Sequence, residues 1–215
     1  MSHLTRSRIR FAVVVVSVVC TITAAPWSTT QAWASACSPT TGASSCTIAG
    51  SAALSAGSLT VEAPATLSWS ATLNGYTQYV DDAATLTPID ATGTNSGWDA
   101  EVTSTTFTNG SNTLPNTSLT VNGSAVSQGS NTAPAASCAS GSSCTAPTST
   151  TAPVTYPMTV PANTTAPAAQ PLYTADANTG EGAVNLASDW WVAIPSTAVP
   201  GTYTSTITFS IVSGP

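Results

Sequence analysis

Apolar and polar side chains alternate with a period of two in several short runs of the chain. Near its C-terminal end Tyr203, Ile207, Phe209 and Ile211 share a face with Ser205, while Thr204, Thr206, Thr208 and Ser210 take the opposite face. Such alternation predicts a strand with one face buried and one wet. Trp98 to Phe107 reads the same way, with Trp98, Ala100 and Val102 opposed to Asp99, Glu101 and Thr103. Leu67, Trp69, Ala71 and Leu73 alternate with polar residues and predict a third strand, with Trp69 in the core. Leu59–Glu62 and Leu119–Val121 are shorter candidates. Gly, Pro, Asn and Asp punctuate these runs, the pattern of a sandwich whose edges are covered by loops.

Composition supports an all-β chain. Ser and Thr dominate and the only glutamates are Glu62, Glu101 and Glu181, so the wet faces of helices could not be populated in the usual way. The expected fold is an antiparallel β-sandwich, Ig-like or jelly-roll-like, over residues 57–215. Within it, about 126–170 is rich in Ala, Ser, Thr and Pro. Six prolines there lack backbone donors and little is available to bury, so an exposed, partly extended surface loop is expected, either plain or a recognition arm. Only Val154 to Val160 offers a strand-like island. Asn109, Asn116, Asn122 and Asn163 begin N-x-Ser/Thr sequons, which matter only in a eukaryotic secretory pathway.

Charge is placed unevenly. His3, Arg6, Arg8 and Arg10 are all the basic and histidine side chains of the chain, and every acid lies between Glu62 and Asp189. Met1 to Arg10 forms a basic region, Phe11 to Ala25 an apolar one, and Ala32-Trp33-Ala34 and Ala34-Ser35-Ala36 satisfy the small-x-small rule for cleavage. Residues 1–36 are therefore expected to be a secretory signal peptide, against the alternatives of a retained anchor or a lipid-modified Cys37. Cleavage takes the formal charge from −6 to about −9 and leaves no Lys, Arg or His. That excludes triads and dyads that use imidazole, Schiff-base lysines, histidine metal sites and phosphate-binding arginine clamps. Nucleic-acid binding is excluded by the same count.

Four cysteines would remain, Cys37, Cys46, Cys138 and Cys144. They allow three pairings, of which the local one, Cys37 with Cys46 and Cys138 with Cys144, is the most economical. Each bridge would contribute roughly 2–3 kcal/mol, and residues 37–56 would form a stapled N-terminal segment. A zinc site is disfavoured because neither pair has knuckle spacing.

Few side chains are left to carry chemistry. Asp176, Asn178 and Glu181 offer oxygen ligands around a turn and are candidate calcium ligands, although the run lacks a terminal bidentate glutamate at the usual distance. Paired carboxylates can hydrolyse glycosides, but with so few acids and no cationic sugar-positioning group a non-enzymatic protein without cofactors is expected. Aromatic residues are the better candidates for binding: Trp98 at a strand start after a turn, Trp190-Trp191, whose indoles must point to opposite faces, and Tyr203 and Phe209.

Two stretches resemble a known family. Gly97-Trp98-Asp99-Ala100-Glu101-Val102, followed by Phe107 and Leu114, is similar to the G-W-x-L-x-V region of the WxL cell-wall-binding domain. Gly201 to Pro215, with Tyr203, Ile207, Thr208, Phe209 and Ile211, resembles that family's distal Y-x-x-x-L-T-W-x-L ending. Both motifs are altered: Ala100 replaces the first leucine, and Phe209 and Ile211 stand for tryptophan and leucine. The resemblance implies a secreted β-rich surface protein held non-covalently to Gram-positive peptidoglycan or another wall glycan, with membrane-anchored partner proteins nearby. The alternative is an adhesin-like or complex-forming subunit that binds another protein. No LPxTG-type sorting signal is seen, so covalent attachment is not expected.

Overall fold

The computed structural model describes residues 50–123 and 129–214. The expected signal peptide and the Cys37–Cys46 pair lie outside these residues. Twelve strands and no helix occur among them: β1 (Leu59–Glu62), β2 (Gln78–Asp90), β3 (Trp98–Thr105), β4 (Thr108–Asn109), β5 (Asn112–Thr113), β6 (Leu119–Val121), β7 (Ala135–Cys138), β8 (Met158–Thr159), β9 (Ala162–Asn163), β10 (Gln170–Ala175), β11 (Gly182–Ile194) and β12 (Ile207–Ser213). One sheet runs β1-β2-β11-β6-β8, with β7 also on β11. The other runs β10-β3-β12, with β9 parallel to the end of β3, and β4–β5 is a separate hairpin. The two sheets pack as an all-β sandwich, as the alternation predicted.

The first sheet is built on the two 13-residue strands β2 and β11, antiparallel in a register that sets Leu186 opposite Leu86 and Val192 opposite Val80. Val184, Leu186, Ser188, Trp190 and Val192 all point inward and are buried. Ser188 occupies an apolar phase of this strand because its hydroxyl is satisfied on both sides: it donates to Ala84 O (3.3 Å) and accepts from Trp190 Nε1 (2.9 Å). Pro88 lies within β2 and has no N–H to give. The ladder to β11 lapses there, and Thr87 Oγ1 donates to Asn185 Oδ1 (3.0 Å) across the gap.

From the second sheet Trp98, Ala100, Val102 and Leu172 fill the other half of the core. Trp98 is fully buried, packs on Tyr173 at 5.9 Å between ring centroids, and donates from Nε1 to Gly180 O (2.9 Å). Gly180 has φ +78°, and a Cβ there would stand 2.6 Å from Trp98 Nε1, so the turn needs glycine twice over.

Two expectations are corrected. Residues 67–73 form no strand, and Leu73 is exposed. The segment is tied to the first sheet through side chains instead of a ladder: Ser68 N donates to Asp82 Oδ2 (2.7 Å), Trp69 Nε1 to Trp190 O (2.8 Å) and Gln78 Nε2 to Thr72 O (3.0 Å). Trp69 is consequently half-buried and not a core residue. The described part of 126–170, in turn, is no mere excursion. It supplies β7, β8 and β9, and buries Pro134, Pro147, Met158 and Val160. Prolines lack donors but keep carbonyls, and these meet the hydroxyls and amides of β3 and β10. Pro161 O accepts from Ser104 N (3.0 Å), Pro167 O from Thr103 Oγ1 (2.9 Å) and Pro147 O from Tyr173 OH (3.4 Å). Cys138 and Cys144 are joined, Cα to Cα 5.4 Å, which fastens β7 to the following turn.

Candidate functional site

The last strand lies at a sheet edge, so its inward face is only half covered. Ile207, Phe209 and Ile211 of β12 are half-buried, and Tyr203 precedes them on the same side. Phe209 meets the buried Trp190 edge-on, with centroids 5.5 Å apart at 88°. Trp69 meets Phe107 in the same manner at 5.8 Å and 81°. Trp190 therefore serves both: its ring supports Phe209 and its carbonyl holds the Trp69 indole.

Between these groups is a cleft of about 400 Å³, walled by residues 64–69 on one side and by Phe107, Thr202–Ser205, Ile207 and Phe209 on the other. Its floor is fixed by reciprocal backbone bonds of Thr108 and Thr204, 2.9 Å each way. Ser205 Oγ donates to Thr105 O, and Tyr203 OH to Val199 O (3.1 Å), which holds the phenol ring in place. No carboxylate lines the cleft. Its chemistry is that of aromatic rings and Ser/Thr hydroxyls, suited to binding an uncharged, hydroxyl-rich or apolar ligand.

Not every expected aromatic reaches this site. Trp98 and Trp190 are fully buried, which corrects the expectation that their indoles contact a ligand. Trp98 stands opposite Ser213 and Phe209 opposite Val102, four rungs apart, so the aromatic residues of the two altered motifs do not meet. Trp190 and Trp191 do part to opposite faces. Trp191 is half-buried on the outer face of the first sheet, opposite Asp81, and its Nε1 donates to Asp189 Oδ2 (2.6 Å). Tyr79 lies one diagonal away on that face. Tyr203 and Phe209 line the cleft as contact residues. Trp69 and Phe107, which complete it, were not singled out as ligand contacts, and the alternation of 67–73 pointed Trp69 inward.

The acid-rich turn is structural. Asp176 Oδ2 accepts from Thr148 Oγ1 (3.0 Å), Thr150 N (2.8 Å) and Thr150 Oγ1 (2.7 Å), and Oδ1 from Thr151 N (2.8 Å). Bonds from the Thr150 hydroxyl and the Thr151 and Thr150 amides hold this carboxyl well below the usual carboxylate range. Its lone pairs are thus committed to residues 148–151. Asn178, at φ +63°, is used for the turn, its amide donating to Asn95 O (2.9 Å). Glu181 has Oε2 buried without a partner. Among the described residues no three His, Cys, Asp or Glu gather as a metal would require. Burial raises the phenol pKa of Tyr156, whose OH donates to Leu172 O, with a smaller contribution from Tyr173. It raises that of Tyr173 too, with Asp176 adding to the effect.

Comparison of the chain with family models, curated proteins and solved structures finds no match.

Proposed function

We propose that this is a secreted, non-catalytic surface protein that holds Gram-positive wall glycan non-covalently, with the cleft of Trp69, Phe107, Tyr203 and Phe209 as the contact. The observation that carries this reading is the cleft itself: four aromatic side chains and five Ser/Thr residues around a space of about 400 Å³, with no carboxylate to repel or to catalyse. Sugar rings offer apolar C–H faces to aromatic rings and hydroxyls to Ser and Thr, so the lining is complementary. The resemblance of Gly97–Val102 and Gly201–Pro215 to the WxL domain supports the same reading, with Phe209 serving the cleft where that family has tryptophan.

Sedimentation with purified peptidoglycan tests it. The wild-type protein is expected in the pellet, and Tyr203→Ala and Trp69→Ala should each weaken retention about tenfold, the size of one aromatic contact of about 1.4 kcal/mol. Trp191→Ala, on the outer face of the first sheet, should retain as wild type. With no basic side chain beyond Arg10, attraction to anionic wall polymer is not expected, so retention should not fall as salt is raised. If purified glycan retains nothing, while a membrane-anchored neighbour does and Trp191→Ala abolishes it, the protein is a complex-forming subunit and the glycan reading is wrong.

A further inference from the structure

An asparagine followed by glycine can lose its side-chain amide without an enzyme, because glycine leaves the next backbone nitrogen uncrowded and free to turn towards Cγ. The chain has three such pairs, Asn74-Gly75, Asn109-Gly110 and Asn122-Gly123. The fold treats them differently. Asn122 is buried, and both ends of its amide are held: Nδ2 donates to Thr132 O (2.6 Å) and Oδ1 accepts from Asp189 N (3.1 Å). Asn109 is half-buried in the β4–β5 hairpin, paired with Asn112, and its Nδ2 packs on Gly201 so closely that a Cβ there would stand 2.0 Å from it. At both positions packing or hydrogen bonds must open before Cγ can move.

Asn74 has no such restraint. Residues 71–77 are all exposed and lead into β2 without joining a ladder. The hydrogen bond of the Asn74 side chain runs from Tyr76 N to Oδ1 (3.0 Å), which turns the side chain towards the backbone that follows and draws electron density from Cγ. Gly75 stands at φ +84° with open space where a Cβ would be, so its amide nitrogen can be approached.

We propose that Asn74 is a site of self-modification, converting to aspartate and isoaspartate in the folded protein while Asn109 and Asn122 persist. The Gly75 nitrogen gives its proton to solvent base and attacks Asn74 Cγ. A C–N bond closes a succinimide ring, the Cγ–Nδ2 bond breaks, and Nδ2 leaves as ammonia. Water then opens the ring at either carbonyl, so that the net change is one water taken up and one ammonia lost. The product adds an acid to a chain with no base beyond Arg10, and its isoaspartate form lengthens the backbone between the Trp69 tether and β2. The site lies outside the aromatic cleft and does not depend on the glycan reading.

The test is incubation of the full chain at about pH 8 and about pH 6, with peptide mass spectrometry reading each asparagine and an isoaspartate methyltransferase labelling the isomer. Conversion at Asn74 is expected to run at least about tenfold faster than at Asn109 or Asn122, since those two must first open contacts. It should be faster at the higher pH, and in urea the three sites should convert alike. Asn74→Gln should end the labelling and keep the wild-type melting temperature, because the side chain is exposed. Equal conversion of the three sites in the folded chain, or an intact Asn74 under conditions that convert all three in urea, would overturn the proposal. A rate independent of pH would overturn the cyclic route.

Discussion

Replacing Ser188 with alanine would remove a single oxygen from the core and test how the sandwich tolerates it. That oxygen accepts from Trp190 Nε1 at 2.9 Å and donates to Ala84 O at 3.3 Å, with Trp190 fully buried. Without it the indole N–H has no water to turn to, and an unsatisfied buried donor costs about 1–3 kcal/mol. Taking about 2 kcal/mol, the melting temperature should fall by about 4–8 °C for a domain of this size. The control is a double-mutant cycle. Trp190→Phe deletes the N–H, so on that background Ser188→Ala loses only the longer bond to Ala84 and should cost less than about 1 kcal/mol. A coupling of about 1–2 kcal/mol is therefore expected from urea unfolding of the four proteins. Effects that add within about 0.5 kcal/mol would show that the hydroxyl does not serve the indole, and the account of why serine occupies an inward position would fail.

Two further outcomes follow from the loops. Removing the Cys138–Cys144 bridge with Cys138→Ser and Cys144→Ser should cost about 2 kcal/mol in urea unfolding, as expected for a short closed loop; an unchanged midpoint would mean that β7 is held by its pairing with β11 alone. Asp176 should make stability fall in acid. Its folded pKa is depressed, so its contribution is fully present above the unfolded value of about 4 and is lost as pH drops further. Asp176→Asn should accordingly be less stable than wild type at pH 6, with the gap narrowing steadily as pH is lowered below about 4; a gap independent of pH would refute the assignment.

Period-two alternation was a sound guide for most of the runs that show it. Leu59–Glu62 and Leu119–Val121 form strands at the residues expected, Trp98 does begin a strand, and the C-terminal face of Ile207, Phe209 and Ile211 is as read. The two longest strands were not read over their length, β11 being placed only at Trp190-Trp191, for physical reasons. In β11 the inward series passes through Ser188, whose partner at Trp190 is not visible as a partner until the strand is formed. In β2 it passes through Asp82, which is half-buried and capped by Ser68 N, and through Pro88. Residues 67–73 show the converse failure, since good alternation made no strand where side chains took up the attachment. The candidate site was half legible. Tyr203 and Phe209 lie six apart in the same phase of the alternation, whereas Trp69 and Phe107 join them only through tertiary contacts, Trp69 with Trp190 and with Phe107. Trp98 was misplaced because a strand-start position does not reveal whether a turn, here Gly180, closes over it, and Trp190 because a pair of adjacent tryptophans on a strand does not show which of the two faces inward.

The lack of cations and the abundance of Ser and Thr turn out to be one feature. With no Lys, Arg or His beyond Arg10, a carboxylate in the sandwich cannot be neutralised by an internal ion pair and has to be met by N–H and O–H donors. Asp90 Oδ1 takes Thr92 N (2.9 Å) and Thr92 Oγ1 (2.6 Å), Asp176 takes Thr148, Thr150 and Thr151, Glu101 takes Ser210 Oγ (3.1 Å), and Asp189 takes the Trp191 indole. Hydroxyl residues beside the acids thus do locally what distant basic residues do in most proteins. Beyond Arg10 the formal charges are therefore few and all negative, which favours ligands bound through rings and hydroxyls over ligands bound through charge. Two carboxylate oxygens among the described residues depart from that pattern: Asp99 Oδ1 and Glu181 Oε2 are buried without a protein donor.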